Sequence, residues 1–298
     1  MASDSLHGMI TCGTGGLYTV LLDGGKTLKC KARGVFRIKN ITPLAGDTVS
    51  VRRGERDEKG YFIEKIDERK TVFARPPMAN VDTVFVTVAA DEPAPNLFYT
   101  DKLLCSVSDA GATPVVIITK TDVSPEKAKE LKKIYSAGYT VFLTSSSSPE
   151  TAAPILEYIK TNTHICAFAG ASGVGKSTLI NTLFPSLTLK TGEISEKSQR
   201  GKHTTRTVTL FDNALGGFIA DTPGFTMLDL DDFDIKRSDR LFFMFPEFEK
   251  YFGKCKYRGC THIKEEGCEI ISAVERKEIA PSRHESYATL FLKEKQKH

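Results

Sequence analysis

The chain has 298 residues, of which 40% are hydrophobic and 26% are charged, and this length and composition predict two or three separate hydrophobic cores. It holds no run of about 18 consecutive apolar residues, and its first ten residues lack the basic-then-apolar order of a secretion signal, so we expect a cytoplasmic protein rather than a membrane-spanning or exported one. The net charge of +4 divides into +5 over residues 1–75, −4 over residues 76–253 and +3 over residues 254–298, which indicates either terminal regions that bind a polyanion or ordinary solvated faces.

The first 70 residues read as short β segments separated by turn residues. The segments are residues 8–12, 17–22, 27–32, 48–53 and 61–66. Asp23-Gly24-Gly25, between two of them, is a hairpin signal. Five short strands in so little sequence predict a small closed barrel of the OB or SH3-like type. Arg75-Pro76-Pro77 then predicts an extended exit from the barrel, because two prolines lack amide donors and restrict the preceding backbone.

After residue 81, apolar β-branched segments alternate with helical patterns. The strand-like segments are residues 83–88, 114–119, 139–143 and 165–169, and the helical ones include residues 125–137 and 149–160. This alternation predicts a mostly parallel α/β sheet with helices on both faces, in which ligands bind at the carboxyl ends of the strands. Beyond residue 226 the pattern becomes helical and aromatic, with two further helices expected at residues 272–279 and 282–295.

A complete phosphate-binding motif, G-x-x-x-x-G-K-S, lies between the predicted strand at residues 165–169 and a helical segment. With the threonine that follows, its residues are Gly170, Ala171, Ser172, Gly173, Val174, Gly175, Lys176, Ser177 and Thr178. The glycines let backbone N–H groups close around phosphate oxygens, and the helix directs the positive end of its dipole toward them. Lys176 is expected to neutralise the β and γ phosphates and Ser177 to ligate Mg²⁺. The alternative is a chance glycine-rich turn.

Thr119-Lys120-Thr121-Asp122 follows another predicted strand and resembles the N-K-x-D motif with which GTPases read guanine. The aspartate of that motif accepts hydrogen bonds from two guanine donors that adenine does not offer together. Thr119 keeps a hydroxyl but lacks the asparagine amide that braces the phosphate loop, so we expect weaker nucleotide affinity rather than a changed base preference. Ser145 and Ser146, at the end of the next strand, are expected to support the guanine O6 through a backbone amide. Each segment, taken alone, is also consistent with a surface turn.

Asp221-Thr222-Pro223-Gly224 ends the apolar strand predicted at residues 217–220 and matches the D-x-x-G motif of GTPases. Asp221 is expected to hold Mg²⁺ through water, and the Gly224 N–H to contact the γ phosphate. Thr205, in the Gly201-Lys202-His203-Thr204-Thr205 segment, is suited to complete the Mg²⁺ coordination. Such segments become ordered around the γ phosphate and relax after its loss.

The order of these motifs is unusual, because the base reader precedes the phosphate loop along the chain, whereas in ordinary GTPases it comes last. Joining the old ends of a domain and opening a new break leaves spatial neighbours unchanged. The motif order therefore predicts a circularly permuted GTPase domain, in which the segment that senses the γ phosphate runs directly into the C-terminal region.

Phe225 occupies the position just after D-x-x-G where many GTPases carry the glutamine that orients the attacking water. An aromatic ring can neither accept a proton nor position water by hydrogen bonding, so we expect slow intrinsic turnover and help from another residue or from a partner. His203 is the candidate within the chain, although it could equally be an ordinary surface histidine. With Lys176 and Thr205 it makes up the predicted catalytic set.

Three cysteines and one histidine lie within fourteen residues near the C-terminal end of the chain. These residues are Cys255, Cys260, His262 and Cys268, and they are flanked by Lys254, Lys256, Arg258 and Lys264. Four ligands of this softness favour one closed tetrahedral structural zinc site, and the basic neighbours suit a nucleic-acid surface. The alternative is a group of unrelated free cysteines.

The combined motifs resemble the RsgA or YjeQ family of circularly permuted GTPases that depend on the small ribosomal subunit. The resemblance rests on the nucleotide motifs, the Cys/His cluster and four further segments: Arg33-Gly34 with Phe36-Arg37, Ala45 to Val49, Ala79 to Asp82, and Arg200 to Thr205. It implies an OB-fold, a permuted GTPase domain and a zinc domain. It also implies that the chain binds the small subunit and its rRNA, hydrolyses GTP faster when bound, acts late in subunit maturation and leaves after hydrolysis.

We therefore expect an OB-fold barrel at residues 1–72, a circularly permuted α/β GTPase domain at residues 73–228 and a helical zinc-binding domain at residues 229–298, in a monomer. Two other functions remain open. A P-loop ATPase or kinase would have no use for the T-K-x-D segment. An RNA-binding scaffold whose nucleotide site only switches would show no turnover that depends on the small subunit.

Overall fold

The computed structural model describes residues 5–54, 60–187, 208–221 and 238–295. The strands are β1 (Leu6–Thr14), β2 (Leu17–Leu22), β3 (Thr27–Ala32), β4 (Thr48–Arg53), β5 (Tyr61–Ile66), β6 (Val72–Ala74), β7 (Pro77–Ala79), β8 (Thr83–Ala89), β9 (Thr113–Thr119), β10 (Val141–Leu143), β11 (Ile165–Ala169), β12 (Thr209–Asp212) and β13 (Phe218–Asp221). The helices are α1 (Gly34–Ile38), α2 (Leu97–Asp109), α3 (Pro125–Tyr135), α4 (Ala153–Asn162), α5 (Lys176–Leu183), α6 (Glu269–Glu275) and α7 (Pro281–Lys295). Short 3₁₀ helices cover Pro149–Ala152, Ser238–Met244 and Pro246–Tyr251. None of the helices that the structure describes has the length and apolar character that a membrane crossing requires.

The chain divides into two structural units. The first consists of Met1–Thr83, Glu157–Phe168 and Phe184–Phe225. The second consists of Val84–Leu156, Ala169–Leu183 and Thr226–His298. Each unit is therefore built from segments that are distant in sequence.

The first unit contains a closed five-stranded barrel. Strand β1 pairs with both β2 and β4, and β2–β3, β3–β5 and β5–β4 pairings complete the circuit. Alternate residues of these strands point inward and are fully buried, among them Ile10, Val20, Val49, Val51 and Ile63. The predicted barrel is confirmed, and its alternating apolar pattern is what fills the interior.

Two of the segments that carry the family resemblance meet beside the barrel, where they serve the fold. Gly46 has a φ of +94°, and a Cβ there would lie 1.9 Å from the carbonyl oxygen of Ala79, so only glycine fits. Asn80 donates from its side-chain amide to the Gly46 carbonyl at 2.9 Å. The carboxylate of Asp47 is fully buried and accepts hydrogen bonds from Nε and Nη2 of Arg69 at 2.7 and 2.8 Å. These residues fix the exit of the chain from the barrel.

That exit differs from the sequence expectation. Arg75-Pro76-Pro77 does not run extended: β6 and β7 form a hairpin in which Ala74 pairs with Pro77 and Val72 with Ala79, and the chain reverses at Arg75 and Pro76. Proline is tolerated here because the first residue of a strand in a two-stranded ribbon need not donate to a neighbour. The expectation of an extended exit was therefore wrong at this point.

The first unit also holds β11, β12 and β13. Strand β13 runs parallel to β11 with Ala220 opposite Ala167, and β12 pairs antiparallel with both β13 and β1. The carboxylate of Asp82 accepts hydrogen bonds from the backbone N–H groups of His164 and Ile165 at 3.0 and 2.7 Å, which fixes the start of β11. Asp221 is the last residue of β13.

The second unit contains β8, β9 and β10 with helices α2 and α3. The strand order is β10-β9-β8, and β9 and β10 are parallel with Ile118 opposite Leu143. All seven residues of β8 are buried, the continuous apolar pattern of a strand covered on both faces. The parallel α/β pattern predicted here is confirmed.

A second core in this unit joins the C-terminal helices to α2. Phe245 and Phe248 stack at a ring-centroid distance of 5.2 Å, and Tyr287 contacts both rings edge-on at 5.5 and 5.3 Å. Helix α6 begins directly after Cys268 and ends at Glu275, earlier than the predicted 272–279, because Lys277 takes a left-handed conformation with a φ of 61°. The apolar and aromatic stretch from Leu241 to Phe252 predicts burial, and this prediction is confirmed for Phe245 and Phe248 but wrong for Phe243 and Phe252, which are exposed.

Candidate functional site

The phosphate loop has the backbone conformation that its glycines predict. Gly170, Gly173 and Gly175 all have positive φ values, of 143°, 78° and 91°. A Cβ at Gly170 would lie 2.2 Å from the carbonyl oxygen of Thr87, so the loop passes too close to β8 for any other residue. Helix α5 starts at Lys176, directly after the loop. This strand-loop-helix arrangement is the one that presents backbone N–H groups to phosphate oxygens.

The ammonium group of Lys176 lies inside the loop. Its Nζ donates to the carbonyl oxygens of Gly170 and Ala171 at 2.9 and 2.6 Å. Burial lowers the pKa of Lys176 to about 8, because the charged form loses hydration and has only carbonyl dipoles around it. A phosphate group that entered the loop would supply the missing counter-charge.

The base-reading segment is attached directly to the phosphate loop. The hydroxyl of Thr119 is placed to donate to the carbonyl oxygen of Val174 at 2.6 Å, and it lies 3.3 Å from the carbonyl oxygen of Val88 in β8. The expectation that threonine would lose the brace was therefore wrong: the hydroxyl of this buried residue reaches the carbonyl that it must contact. The sequence could not show this, because the short side chain suffices only at this backbone separation.

Asp122, the predicted guanine reader, is held by two serines. Ser145 donates to one carboxylate oxygen and Ser147 to the other, the latter at 3.0 Å. The bond from Ser145, joined by one from Ser147, lowers the pKa of Asp122 below its usual value, so the carboxylate is ionised at neutral pH. Ser146 is exposed. Ser147 was not predicted, although it belongs to the serine run that marked this loop.

Lys120 makes a contact that the sequence did not indicate. Its Nζ donates to the carbonyl oxygen of Glu92, in the loop after β8. Lys120 and Glu92 both have positive φ values, of 55° and 48°, and Pro93 lies 3.8 Å from the position of a Cβ at Gly173. The loop after β8 thus touches both the base-reading segment and the phosphate loop. Its only sequence signal was the proline-rich stretch from Pro93 to Pro95.

The remaining nucleotide motifs lie partly outside the described residues. Asp221 closes β13, but its side chain is not among those described, and His203, Thr205, Gly224 and Phe225 fall in residues 188–207 and 222–237, which lie outside the description.

The Cys/His cluster has the dimensions of a metal site. The four predicted ligands lie within 4.8 Å of one another, with Cys255 Sγ and Cys268 Sγ at 3.4 and 3.5 Å from His262 Nδ1 and 4.0 Å apart. Tetrahedral zinc, with Zn–S near 2.3 Å and Zn–N near 2.0–2.1 Å, separates two sulfurs by about 3.8 Å and a sulfur from a nitrogen by about 3.6 Å. The residues present therefore fit zinc, with all four positions filled by protein.

A carboxylate outside the ligand set shapes the loop that carries Cys260 and His262. Glu265 accepts from the N–H groups of Thr261, Ile263 and Lys264 at 2.8, 3.0 and 3.1 Å and from the Thr261 hydroxyl. Burial alone would raise the pKa of Glu265, but these donated bonds outweigh it and lower the pKa to about 2. His284 contacts the His262 carbonyl at 2.6 Å. The loop is thus held from two sides.

Two family profiles together match about three quarters of the chain. The profile described as "RsgA GTPase" matches residues 66–231, and the one described as "RsgA N-terminal domain" matches residues 7–62. The chain belongs to the RsgA GTPase family. The predicted family is confirmed, and with it the predicted GTP hydrolase activity.

Several RsgA relatives align over almost their entire length. The protein named small ribosomal subunit biogenesis GTPase RsgA from Ruminiclostridium cellulolyticum is 38% identical over 286 residues, which are 95% of this chain and 92% of that protein. The protein of the same name from Bacillus subtilis is 39% identical over 290 residues, 94% of this chain and 95% of that protein.

Two solved structures share the RsgA fold. YjeQ from Thermotoga maritima superposes with a TM-score of 0.79 at 31% identity, covering 98% of this chain and 99% of that one. YloQ, described as a circularly permuted GTPase, superposes with a TM-score of 0.77 at 30% identity, covering 99% and 96%. The predicted circular permutation is confirmed. Membership of this GTPase family implies Mg²⁺ with GTP.

Proposed function

We propose that the chain is a GTPase that binds the small ribosomal subunit, hydrolyses GTP faster when bound to it, and couples hydrolysis to late subunit maturation and to its own release. The observation that carries the proposal is the bond between Thr119 and Val174, which holds a guanine-reading segment against a phosphate loop. The RsgA relatives are named small ribosomal subunit biogenesis GTPases, and this supports the small subunit as the binding partner.

The roles of the nucleotide residues follow from their chemistry. Asp122 accepts from the guanine N1–H and 2-amino group, Lys120 packs along the base, and the Ser145-Ser146 backbone supports O6. The phosphate loop from Gly170 to Thr178 binds the phosphates through its N–H groups and Lys176.

The magnesium and water roles rest on the motif positions. Ser177, Thr205 and Asp221 are the proposed Mg²⁺ set, and the Gly224 N–H is the proposed contact with the γ phosphate. His203 orients the attacking water within the chain, in place of the glutamine that Phe225 replaces, and the subunit supplies the remaining acceleration.

Cys255, Cys260, His262 and Cys268 hold one structural zinc ion in this proposal. The fit of their distances to tetrahedral zinc supports it, and four protein ligands leave no open position for catalysis. The metal supplies folding free energy to a loop with few apolar residues of its own.

The proposed domains are an RNA-binding OB barrel at residues 1–72, the permuted GTPase domain at residues 73–228 and the zinc domain at residues 229–298. We also propose that the chain is a monomer that acts in the cytoplasm, at the site where small subunits mature. The basic charge of both terminal regions supports contact with rRNA there.

Phosphate release tests the proposal directly. Purified protein with purified small subunits should hydrolyse GTP, and not ATP, at a rate about 10³-fold or more above the rate without subunits. Lys176→Ala should abolish the stimulated rate. Equal use of ATP would favour a P-loop ATPase or kinase, and an absence of stimulation by subunits would favour an RNA-binding scaffold.

A second test concerns the base reader. Asp122→Asn replaces the carboxylate by an amide that can donate to the 2-oxo group of xanthine, so the variant should lose GTP hydrolysis and gain XTP hydrolysis. Thr121→Val, in the same segment, should leave the preference for GTP unchanged. A preference for GTP that survives Asp122→Asn would remove Asp122 from the base site.

A further inference from the structure

Exposed aromatic side chains are concentrated at one place on the second unit. Among the described residues, four phenylalanine or tyrosine side chains are exposed by 36% or more: Phe211, Phe243, Phe252 and Tyr257. Three of them, Phe243, Phe252 and Tyr257, with exposed fractions of 52, 66 and 52%, line a single cavity beside the Cys/His cluster. We call this cavity the aromatic cleft. Exposed apolar area of this kind needs a partner, since it is costly to keep in water.

The aromatic cleft has the size and the walls of a ligand site. Its volume is about 350 Å³, near the lower end of the range of about 300–1,000 Å³ typical of small-molecule sites, and Cys255, Cys260 and His262 of the Cys/His cluster form part of its lining. Phe243 and Phe252 contact each other at a ring-centroid distance of 5.3 Å with their planes 44° apart, and both contact the buried Phe242. The rings are therefore fixed in place by one another while their outer faces stay open.

Positive charge surrounds the aromatic cleft. Arg258 lines it, and Lys254, Lys256 and Lys264 stand exposed on the same loop. Among the described residues none of these four makes an ion pair; of the two acidic side chains in the same loop, Glu265 accepts from backbone N–H groups and Glu266 is exposed. The Lys256 ammonium also lies 5.3 Å from the Tyr257 ring centroid. The surface thus offers flat apolar faces inside a positive field.

We propose that the aromatic cleft binds an unpaired base of rRNA by stacking, while Arg258 and the neighbouring lysines bind the phosphates on either side. This inference rests on the proposed function and adds to it the surface of the protein that contacts rRNA. Single-stranded RNA is recognised by aromatic rings that stack on splayed bases together with cations that follow the backbone. A hydrophobic peptide would use the rings but not the charges, and a duplex would use the charges but not the rings.

The chain contains no tryptophan, so a single introduced indole reports on the cleft alone. The tryptophan fluorescence of the Phe252→Trp variant should be quenched when the full-length, zinc-loaded protein is titrated with an eight-residue oligoadenylate. An abasic oligonucleotide of the same length carries the same phosphates and should quench far less. Equal quenching by the two, or equal quenching by an acidic peptide of the same charge, would overturn the proposal.

Affinity measurements with alanine variants separate stacking from charge. Phe243→Ala and Tyr257→Ala should each weaken oligoadenylate binding by roughly 5- to 150-fold without changing its salt dependence. Lys256→Ala should instead reduce the slope of log affinity against log salt by about 1. Phe211→Ala, which removes an exposed ring outside the cleft, is the matched control and should bind as the parent does. Weakening by Phe211→Ala equal to that by Phe243→Ala would contradict the proposal.

Different results would contradict the proposed GTPase function and the proposed role of the aromatic cleft. If the parent protein shows no GTP hydrolysis stimulated by small subunits, the proposed function fails, whatever the indole reports. If stimulation is present but Phe243→Ala and Tyr257→Ala bind oligoadenylate and small subunits as the parent does, only the aromatic cleft is removed from the RNA surface.

Discussion

The Thr119 hydroxyl lies 2.6 Å from the carbonyl oxygen of Val174 and joins the proposed guanine-reading segment to the phosphate loop. These residues are 55 positions apart in the chain, and the base reader comes first. Circular permutation reverses the order of the two motifs, and this contact restores their adjacency.

Removing this hydroxyl should weaken nucleotide binding. Thr119→Val keeps the shape of the side chain but leaves the buried Val174 carbonyl without its donor, which costs roughly 1–3 kcal/mol, or about 5- to 100-fold in affinity for GDP. The measurement is the dissociation constant of a fluorescent GDP analogue. Thr121→Val is the control, because its hydroxyl bonds the Thr144 carbonyl away from the phosphate loop. Equal affinity of Thr119→Val and the parent would show that the bond does not hold the site together.

Nucleotide affinity should fall as pH rises above about 8. Lys176 has a pKa of about 8 in the loop, so it is charged below that pH and loses its proton above it. Phosphate favours the charged form and raises this pKa, so binding above pH 8 takes up a proton and weakens by up to about tenfold per pH unit. Calorimetry of GDP binding at pH 7, 8 and 9, in two buffers of different ionisation enthalpy, measures both effects.

Lys176→Arg provides the control for this pH dependence, because a guanidinium stays charged throughout the range. The variant should bind more weakly but with little proton uptake between pH 8 and 9. Proton uptake of the same size in the arginine variant would assign the titration to another group.

The buried cation of the second unit should be required for its stability. Arg283 is 1% exposed and binds Asp101 at 2.6 Å and both oxygens of Glu247 at 2.6 and 3.2 Å, with the Phe245 ring centroid 4.4 Å away. Arg283→Met leaves two buried carboxylates without their cation and should cost about 3–5 kcal/mol of unfolding free energy, seen as a lower urea midpoint.

Two variants check this interpretation of Arg283. Arg276 also pairs with two carboxylates, Glu269 and Glu278, but on an exposed surface, so Arg276→Met should leave the midpoint almost unchanged. Neutralising Asp101 and Glu247 in the Arg283→Met background, with asparagine and glutamine, should recover part of the loss. If Arg283→Met leaves the urea midpoint unchanged, the fold tolerates the buried carboxylates of Asp101 and Glu247 without the guanidinium, and the interpretation is wrong.

Zinc affinity should depend on Glu265. Glu265→Ala removes the acceptor for three N–H groups in the loop that carries Cys260 and His262, and loss of such an outer contact typically lowers metal affinity about 10- to 100-fold. Competition with a chromophoric chelator measures the affinity. Glu266→Ala, one residue along on the exposed side, should bind zinc as the parent does. Identical affinities for the two variants would remove Glu265 from the metal site.

Much of the fold was predictable because its signals are local. Strands β2, β3, β4, β5 and β11 have the predicted bounds. In these segments, apolar and polar residues alternate or apolar residues run continuously, and either pattern indicates which faces of the strand are buried. Helix α1, whose Phe36 packs in the barrel core, and the β6–β7 hairpin were missed because they depend on contacts with distant segments, and the bounds of α6 were misplaced because the helix ends just before the left-handed Lys277. The hairpin is one such case, where Ala79 lies against Gly46 of the barrel.

The amino-acid sequence by itself determined the chemistry of the chain. The G-x-x-x-x-G-K-S motif, the T-K-x-D segment and the group of three cysteines and one histidine are residue types at fixed spacings, and they can be identified without coordinates. Tertiary structure alone decided which groups meet: that Thr119 reaches Val174, that Ser147 and Glu92 join the nucleotide residues, and that Arg283 neutralises two acids from other elements. The physical reason is that hydrogen bonds and ion pairs act over about 3 Å in space, a distance that positions along a permuted chain do not encode.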